Sequence, residues 1–559
     1  MSDRHYAHWP KMLPRSIVLP ETSLWYNLEV SATRYPRKPF IVYYDSVVTF
    51  AEFRDEVERL AGFLEQECGV RRGDRVLLYT QNSPQFVIGY YAILRANAVV
   101  VPINPMNLTN ELRHYAADTA ARTIITTQDL YAQVEPLLGE GLLAHAIVGA
   151  YSDYLRRETD LPVPEVVRAP RARLDGAGVV SWREALARGA HPGPHVVGPP
   201  DLAVMPCTSG TTGLPKGCMH THRSVMHTVV VGEYWYKNTA DDTRLATLPL
   251  FHVTGMQGSM NGPLYTGSTI VLLTRWDRDA AARLIERYRV AAWKTISTMV
   301  VDFLANPRLD EYDLSSLRQI GGGGAAMPEA VARRLYERYG LAYVEGYGLT
   351  ETMAPTHTNP PERPKRQCLG IPICDVEALV VDPETLRELP PGEVGEILVR
   401  GPQVFQGYWN QPKATEEAFV EIDGKRFFRT GDLGYTDEEG YFFMTDRLKR
   451  MINASGFKVW PAEVETMMYR HPAIHEVCVI GARDPRRGET VKAVVVLKPE
   501  ARGQVSEQDI IDWARGQMAA YKYPRIVEFV DSLPKSGSGK IMWRTLQERE
   551  REREQGAPN

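Results

Sequence analysis

The sequence predicts an α/β protein: a large N-terminal domain of α/β layers with a β-rich subdomain, then a small C-terminal α+β domain. Three observations carry this expectation. At 559 residues the chain exceeds what one hydrophobic core ordinarily serves, since domains of roughly 100–200 residues are usual. Its first half alternates helix-like and strand-like segments, the pattern of layered α/β architecture. Its texture then changes twice, near Gly370 and again past Asp446.

In chain order, "VTFAEFRDEVERLAGFLEQECGV" reads as helix and "DRVLLYT" as the strand after it. The most apolar long window, "FVIGYYAILRANAVVVPINP", is interrupted by Arg95 and Asn97 and ends in prolines. It reads as a helix followed by a buried strand rather than a membrane span. "RRETDLPVPEVVRAPRARLDGAGVV" is rich in Arg, Pro and Gly without periodicity and reads as a surface excursion between subdomains. From Gly370 to Phe443 come short β-type segments: "DVEALVVD", "GEVGEILVRG", "GYFFMTD". Past Asp446, Pro461 stands where a helix start tolerates proline. "HEVCVIG" and "VKAVVVLKP" read as strands, and a helical segment from about Ser506 precedes "IVEFVDSLP". The closing "QEREREREQGAPN" reads as a solvated, frayed helix end. No internal repeat is evident.

Apolar residues make up 44% and charged residues 24%, with a net charge of −4 and both signs interspersed. That balance gives no support to nucleic acid or an anionic membrane as the main partner. The N-terminus lacks the apolar core of a signal peptide. Six cysteines without CxxC spacing suit free thiols in a reducing cytoplasm. A cytoplasmic protein with no transmembrane segment is expected, and the sequence leaves open whether it pairs as a homodimer.

The chemistry concentrates in a few stretches. "TSGTTGLPKG", Thr208–Gly217, packs four hydroxyls, three glycines and one lysine directly after the apolar "LAVMPC". Glycines let backbone N–H groups converge on an oxyanion, hydroxyls add donors, and Lys216 supplies charge. The Walker spacing is not met. "QIGGGGAAMPEA" sets four glycines between a strand and a helix starting near Pro328, either a flexible connection or a close backbone approach to a flat ligand. In "EGYGLTET", Tyr347 offers an aromatic face for a purine, Thr350 a hydroxyl for phosphate, and Glu351 a carboxylate for a hard cation such as Mg²⁺. "FRTGDLGY" supplies Asp432, read as lying in a tight turn and suited to a ribose diol. "DRLKRMINASGFKVW" adds Arg447 and Lys449, and "LPKSGSGKIMW" adds Lys540.

Together and in this order, TSGTTGLPKG, LPLFHVTG, GYGLTET, RTGDLGY, DRLKRMINASGFKV and PKSGSGK resemble the adenylate-forming superfamily, in its acyl-CoA synthetase branch. The resemblance runs from about Trp25 to Leu546. It implies activation of a carboxylic acid by ATP as an acyl-AMP, with pyrophosphate released, then acyl transfer to CoA. A carboxylate is a poor electrophile at neutral pH, so catalysis is chiefly placement and charge neutralisation.

By resemblance, Thr208, Ser209, Gly210, Thr211, Thr212, Gly213 and Lys216 hold the β- and γ-phosphates, with Mg²⁺ on Glu351 and Thr208. Gly324, Ala325, Glu345, Gly346, Tyr347 and Gly348 surround the adenine, Thr350 sits near the α-phosphate, and Asp432 and Arg447 bind the ribose. Lys540 bridges carboxylate and α-phosphate during adenylation. Lys449 matches a hinge, which divides the chain into 1–446 and a mobile 447–559. Rotation about it withdraws Lys540 and brings in "NASGFKV", where Ser455 and Gly456 border the pantetheine arm of CoA. His252 lines the acyl pocket. His220 and His222 in "HTH" read as two imidazoles on one face of a strand, in a structural or CoA-tunnel role rather than as a metal pair. Two positions depart from the pattern. Cys207 stands where an aromatic often precedes the phosphate loop, and Glu345 stands where Gln or Asn is common.

Amino-acid-activating relatives carry an aspartate after the phenylalanine of this region. Here His252 follows Phe251, so a substrate ammonium would be buried unpaired. Between Val253 and Gly262 the residues are small, flexible or apolar, and with Gly321–Ala326 opposite they predict a narrow apolar channel. "EYWY", Glu233–Tyr236, reads as its aromatic wall or gate. A medium- to long-chain fatty acid is expected, with short or aryl acids as the alternative. The rival activity is a stand-alone adenylating enzyme that loads a carrier protein. A luciferase-type monooxygenase ranks far lower, and a non-catalytic nucleotide sensor is the contrast from outside enzymes.

Overall fold

A computed structural model describes residues 3–189, 191–208, 215–324, 326–447, 450, 452–454, 457–459, 461–484, 488–518, 520–535 and 541–556. Among them, two large sheets form the N-terminal layers. One runs, from edge to edge, through strands at 371–372, 357–358, 343–347, 319–323, 292–294, 243–246, 269–272, 39–43 and 46–49. Its six central strands are parallel and its edges antiparallel. The other runs through 220–221, 202–204, 99–102, 75–79, 123–127, 145–149 and 179–181. The apolar window resolves as expected into the helix Pro84–Arg95 and the strand Val99–Pro102. That helix is buried from Pro84 to Leu94, as an element apolar all round must be. Ser83 caps it, accepting from Phe86 N, and Pro84 takes the first turn, where a missing N–H costs nothing. Of the predicted surface excursion, only a short helix, Glu165–Arg168, and the closing Val179–Val180, which enter the edge strand Val179–Ser181, are regular, and Leu161 and Val167 anchor the helix.

The β-rich subdomain is a sheet of strands Glu377–Val381, Gly395–Arg400, Phe419–Ile422, Lys425–Thr436 and Phe442–Arg447. The small domain wraps its own core. Strands Ile474–Asp484 and Gly488–Leu497 pair antiparallel along their length, and Ile526–Phe529 adds in parallel. Helices Pro461–Met468 and Glu507–Gln517 cover one face. Ser506 caps the second in a full capping box with Asp509, which is how the sequence marks that start.

Two expectations are corrected. Asp432 lies inside the strand Lys425–Thr436, paired with Arg447, not in a tight turn. The "TG" that suggests a turn is an irregularity in this strand, where Gly431 takes φ +68°. The closing helix, Trp543–Gly556, is more than a frayed end. Glu550 meets Lys492 Nζ at 2.5 Å, and Arg553 reaches Glu528 at 2.9 Å. Trp543 and Leu546 pack on the outer face of the small domain's sheet. Alternating charges therefore form a clasp along one helix face.

Candidate functional site

In open parallel sheets, ligands lie in the crevice outside the carboxyl ends of the strands. Here those ends are Ala246, Lys294, Gly323 and Tyr347, on four adjacent strands. Three of them open onto predicted site segments: "LPLFH" after Ala246, Gly324 after Gly323, and "GLTE" after Tyr347.

The glycine run is not a flexible connection. Gly321–Gly323 belong to the strand Gln319–Gly323, and added Cβ atoms would stand 2.3 Å from Val344 O, 1.9 Å from Thr295 O and 2.2 Å from Gly346 O. Only glycine lets these strands approach so closely, and Gly324 continues at φ +92°. Replacing Gly322 with alanine is therefore expected to force the backbone apart. The expected destabilisation, as for other overpacked sites, is about 1–3 kcal/mol, read as a lower melting temperature. An unchanged melting temperature would contradict the close approach.

The phosphate-loop arms are described and its tip is not. Thr208 pairs with Lys216 and Cys207 with Gly217 in a short antiparallel ribbon. The ribbon packs on the turn Thr350–Thr352. His220 holds that turn, its Nε2 lying 2.7 Å from Thr350 O. Glu351 Oε1 accepts from Tyr408 Oη at 2.7 Å, and Lys216 Nζ lies 5.0 Å above the same tyrosine ring. Lys216, Tyr408 and Glu351 thus form one column beside the loop. Ser209, Gly210, Thr211, Thr212 and Gly213 lie outside the described residues, as do Ala325, Lys449, Ser455, Gly456, Lys540 and the side chain of Arg447.

Tyr347 Oη donates to Asp432 Oδ2 at 2.6 Å, so two residues predicted for the site are brought together across 85 residues of sequence. Glu345 has a clear local task. Its two oxygens accept from Met327 N at 2.8 Å and Gln367 N at 2.7 Å. Burial raises its carboxyl, and those N–H groups pull it back. A carboxylate suits this place because both partners are donors.

His252 caps the short helix Val253–Met256 from an exposed position, its Nδ1 accepting from Thr254 N. His220 and His222 do not share a strand face. His220 lies in the short strand His220–Thr221, whereas His222 opens the next helix and its Nδ1 accepts from Leu24 N at 3.1 Å. Each ring thus serves a separate backbone contact. The four residues of "EYWY" take separate places. Glu233 is buried against Arg244, Tyr234 is exposed, and Trp235 donates to Asn359 O at 3.0 Å. Tyr236 alone stays near the crevice. The predicted channel is not wholly apolar either, because Lys294 lies against Gly258. Sequence reasoning missed this lysine. Its signal was a cation at the last position of a buried strand, "VAAWK", at the carboxyl edge of the sheet.

Comparison with known proteins gives consistent similarities. The family described as "AMP-binding enzyme" matches residues 28–409, and "AMP-binding enzyme C-terminal domain" matches 463–540. A long-chain-fatty-acid–CoA ligase of Bacillus subtilis (strain 168) is 35% identical, covering 98% of each chain. A feruloyl-CoA synthase of an Amycolatopsis species is also 35% identical, over 89% of this chain and 93% of its own. The crystal structure of ATP-bound MatB from Rhodopseudomonas palustris superposes with a TM-score of 0.82 at 28% identity, covering 95% of this chain and 99% of that one.

Proposed function

The chain belongs to the AMP-binding enzyme family, and from that premise we infer that it is an ATP-dependent acyl-CoA ligase whose acid is a medium- to long-chain fatty acid. One observation supports this reading above the others. The phosphate-loop arms, Thr350–Glu351, and Tyr347 with Asp432 converge on the carboxyl ends of adjacent parallel strands. In the first half-reaction an acid oxygen attacks the α-phosphorus of ATP, and the bond to the pyrophosphate oxygen breaks. Thr208 and Lys216 would grip the leaving pyrophosphate, and Thr350 would lie beside the α-phosphate. Tyr347 would flank the adenine, and Asp432 would accept from the ribose hydroxyls. A single carboxylate beside hydroxyl and lysine donors fits Mg²⁺, which takes few protein ligands and completes its shell with substrate phosphates. Glu351 and Thr208 would hold it, and it would supply charge neutralisation.

The second half-reaction transfers the acyl carbon from AMP to the CoA sulfur. For it the bodies 1–446 and 447–559 would turn about Lys449, withdrawing Lys540 and bringing Ser455 and Gly456 to the crevice. The separate core of the small domain supports such a rigid turn. Asp446 also accepts from Ala462 N at 2.7 Å, which ties the two bodies just before the expected pivot. Among the described residues, no helix is long and apolar enough to cross a membrane.

Pyrophosphate release is the direct test, measured against acetate through palmitate, benzoate and cinnamate, each with and without CoA. Turnover that needs CoA and peaks with an aliphatic acid is expected. Pyrophosphate exchange without CoA-dependent turnover would redirect the acyl group to a carrier protein. A peak at cinnamate would make the acid aryl, as the name of the feruloyl-CoA synthase says for that relative.

A further inference from the structure

The crevice holds a cation that the adenylation chemistry leaves unused. Lys294 closes the strand Ala292–Lys294, in register with Ala246 on one side and Gly321 on the other. Alternation along a strand sends neighbours to opposite faces. Trp293 enters the core, stacked on Trp276 at 5.5 Å and donating to Thr247 Oγ1 at 2.9 Å. Lys294 points the other way. Its stem lies so close to Gly258 that a Cβ there would stand 2.9 Å from Lys294 Cγ, and its Nζ sits 3.2 Å from the centroid of the Tyr236 ring. Gly258 belongs to the π-helical turn Gln257–Asn261, which follows the helix that His252 caps. Gly258, Tyr236 and Lys294 each keep some accessible surface, Gly258 and Lys294 between buried chain neighbours. Burial is nonetheless the chief influence on the titration of both Tyr236 and Lys294. These three residues meet at one place on the carboxyl side of the sheet, where the inner wall of the predicted channel would stand.

Among the described residues, no carboxylate lies within ion-pair reach of Lys294. Glu233, the acid that bears on it, is engaged by Arg244 through two bonds of 2.8 and 2.5 Å, so the pair is neutral as a unit. Burial pushes the Lys294 ammonium down to about 7, with Glu233 raising it and Arg244 lowering it again. Enclosing an ammonium without an anion opposes folding. A ligand carboxylate would satisfy it.

Building on the ligase reading, we propose that the substrate is a medium-chain α,ω-dicarboxylic acid, one carboxylate being activated at the mouth and the other received by Lys294 at the inner end of the channel. The advance from His252 to Gly258 is roughly 9 Å of helix, which suits a chain of medium length.

The test compares acids of equal length, octanoate with octanedioate and decanoate with decanedioate, using CoA-dependent pyrophosphate release by the full chain and by Lys294→Met. The wild type is expected to favour the diacid. In the variant, kcat/KM for diacid over monoacid should fall by about tenfold to a hundredfold, the worth of one hydrogen bond to a charged group. Monoacid turnover should survive, and the melting temperature should hold or rise with the buried charge gone. A wild type that prefers the monoacid, with a ratio unmoved by Lys294→Met, would overturn the proposal and leave the ligase reading intact. Should the variant fail to fold, the wild type alone decides. Its diacid preference should decline from about pH 6 to 9 as the ammonium facing Tyr236, Glu233 and Arg244 loses its proton, and a constant ratio would overturn the proposal. Silence with every acid would overturn the ligase reading itself, and this proposal with it.

Discussion

A Lys540→Ala variant is expected to lose roughly 10²–10³-fold in acyl-adenylate formation, the usual effect of removing one donor aimed at developing transition-state charge, while its melting temperature stays unchanged. The carboxylate and the α-phosphate are both anionic, and they must approach within bonding distance. A cation bridging them is worth most at the moment of attack, when negative charge gathers on the phosphoryl oxygens. The informative comparison uses preformed acyl-AMP and CoA. If the small domain turns as proposed, Lys540 is withdrawn in that step and the variant should perform it nearly as well as the wild type. Equal loss in both half-reactions would contradict the exchange of active faces.

Stability should fall steeply as the protein is acidified from pH 7 towards pH 5. Burial pushes His195, His220 and His227 down to about 4, and His222 and His357 down to about 3. In the unfolded chain these rings titrate near 6.5. Below that pH the unfolded state binds protons that the folded state refuses, so stability declines as pH falls and is fully present only above about 6.5. Each ring contributes about 1.4 kcal/mol per pH unit in that window. Glu56, Glu345 and Glu465, raised by burial, work in the opposite sense. Above ordinary glutamate values the folded state keeps protons on them that the unfolded state has released, so they offset part of the histidine effect. Melting temperatures taken in steps from pH 8 to 5 check this, and a flat profile would refute the assignment of neutral buried imidazoles.

Much of the large-scale design was legible in the sequence, and the reason is locality. Ser506 with Asp509, and Ser83 with Pro84, mark helix starts because a cap needs only residues within one turn. Phosphate loops are local in the same way, since converging N–H groups and hydroxyls come from consecutive residues. TSGTTGLPKG therefore announces its chemistry in its own letters. Asp432 shows where this logic stops. "TGD" has the composition of a turn, yet pairing with the strand that ends at Arg447 keeps Asp432 within the sheet.

The sequence by itself determined the family motifs, the two-part layout and the class of chemistry, because each rests on neighbours along the chain. Only the tertiary structure decided which distant groups meet: Tyr347 with Asp432, Glu345 with Met327 and Gln367, Lys492 with Glu550, and Lys294 with Gly258 and Tyr236. Those meetings depend on strand order and register. A shift of one residue in register sends every side chain to the opposite face, and no local propensity records it.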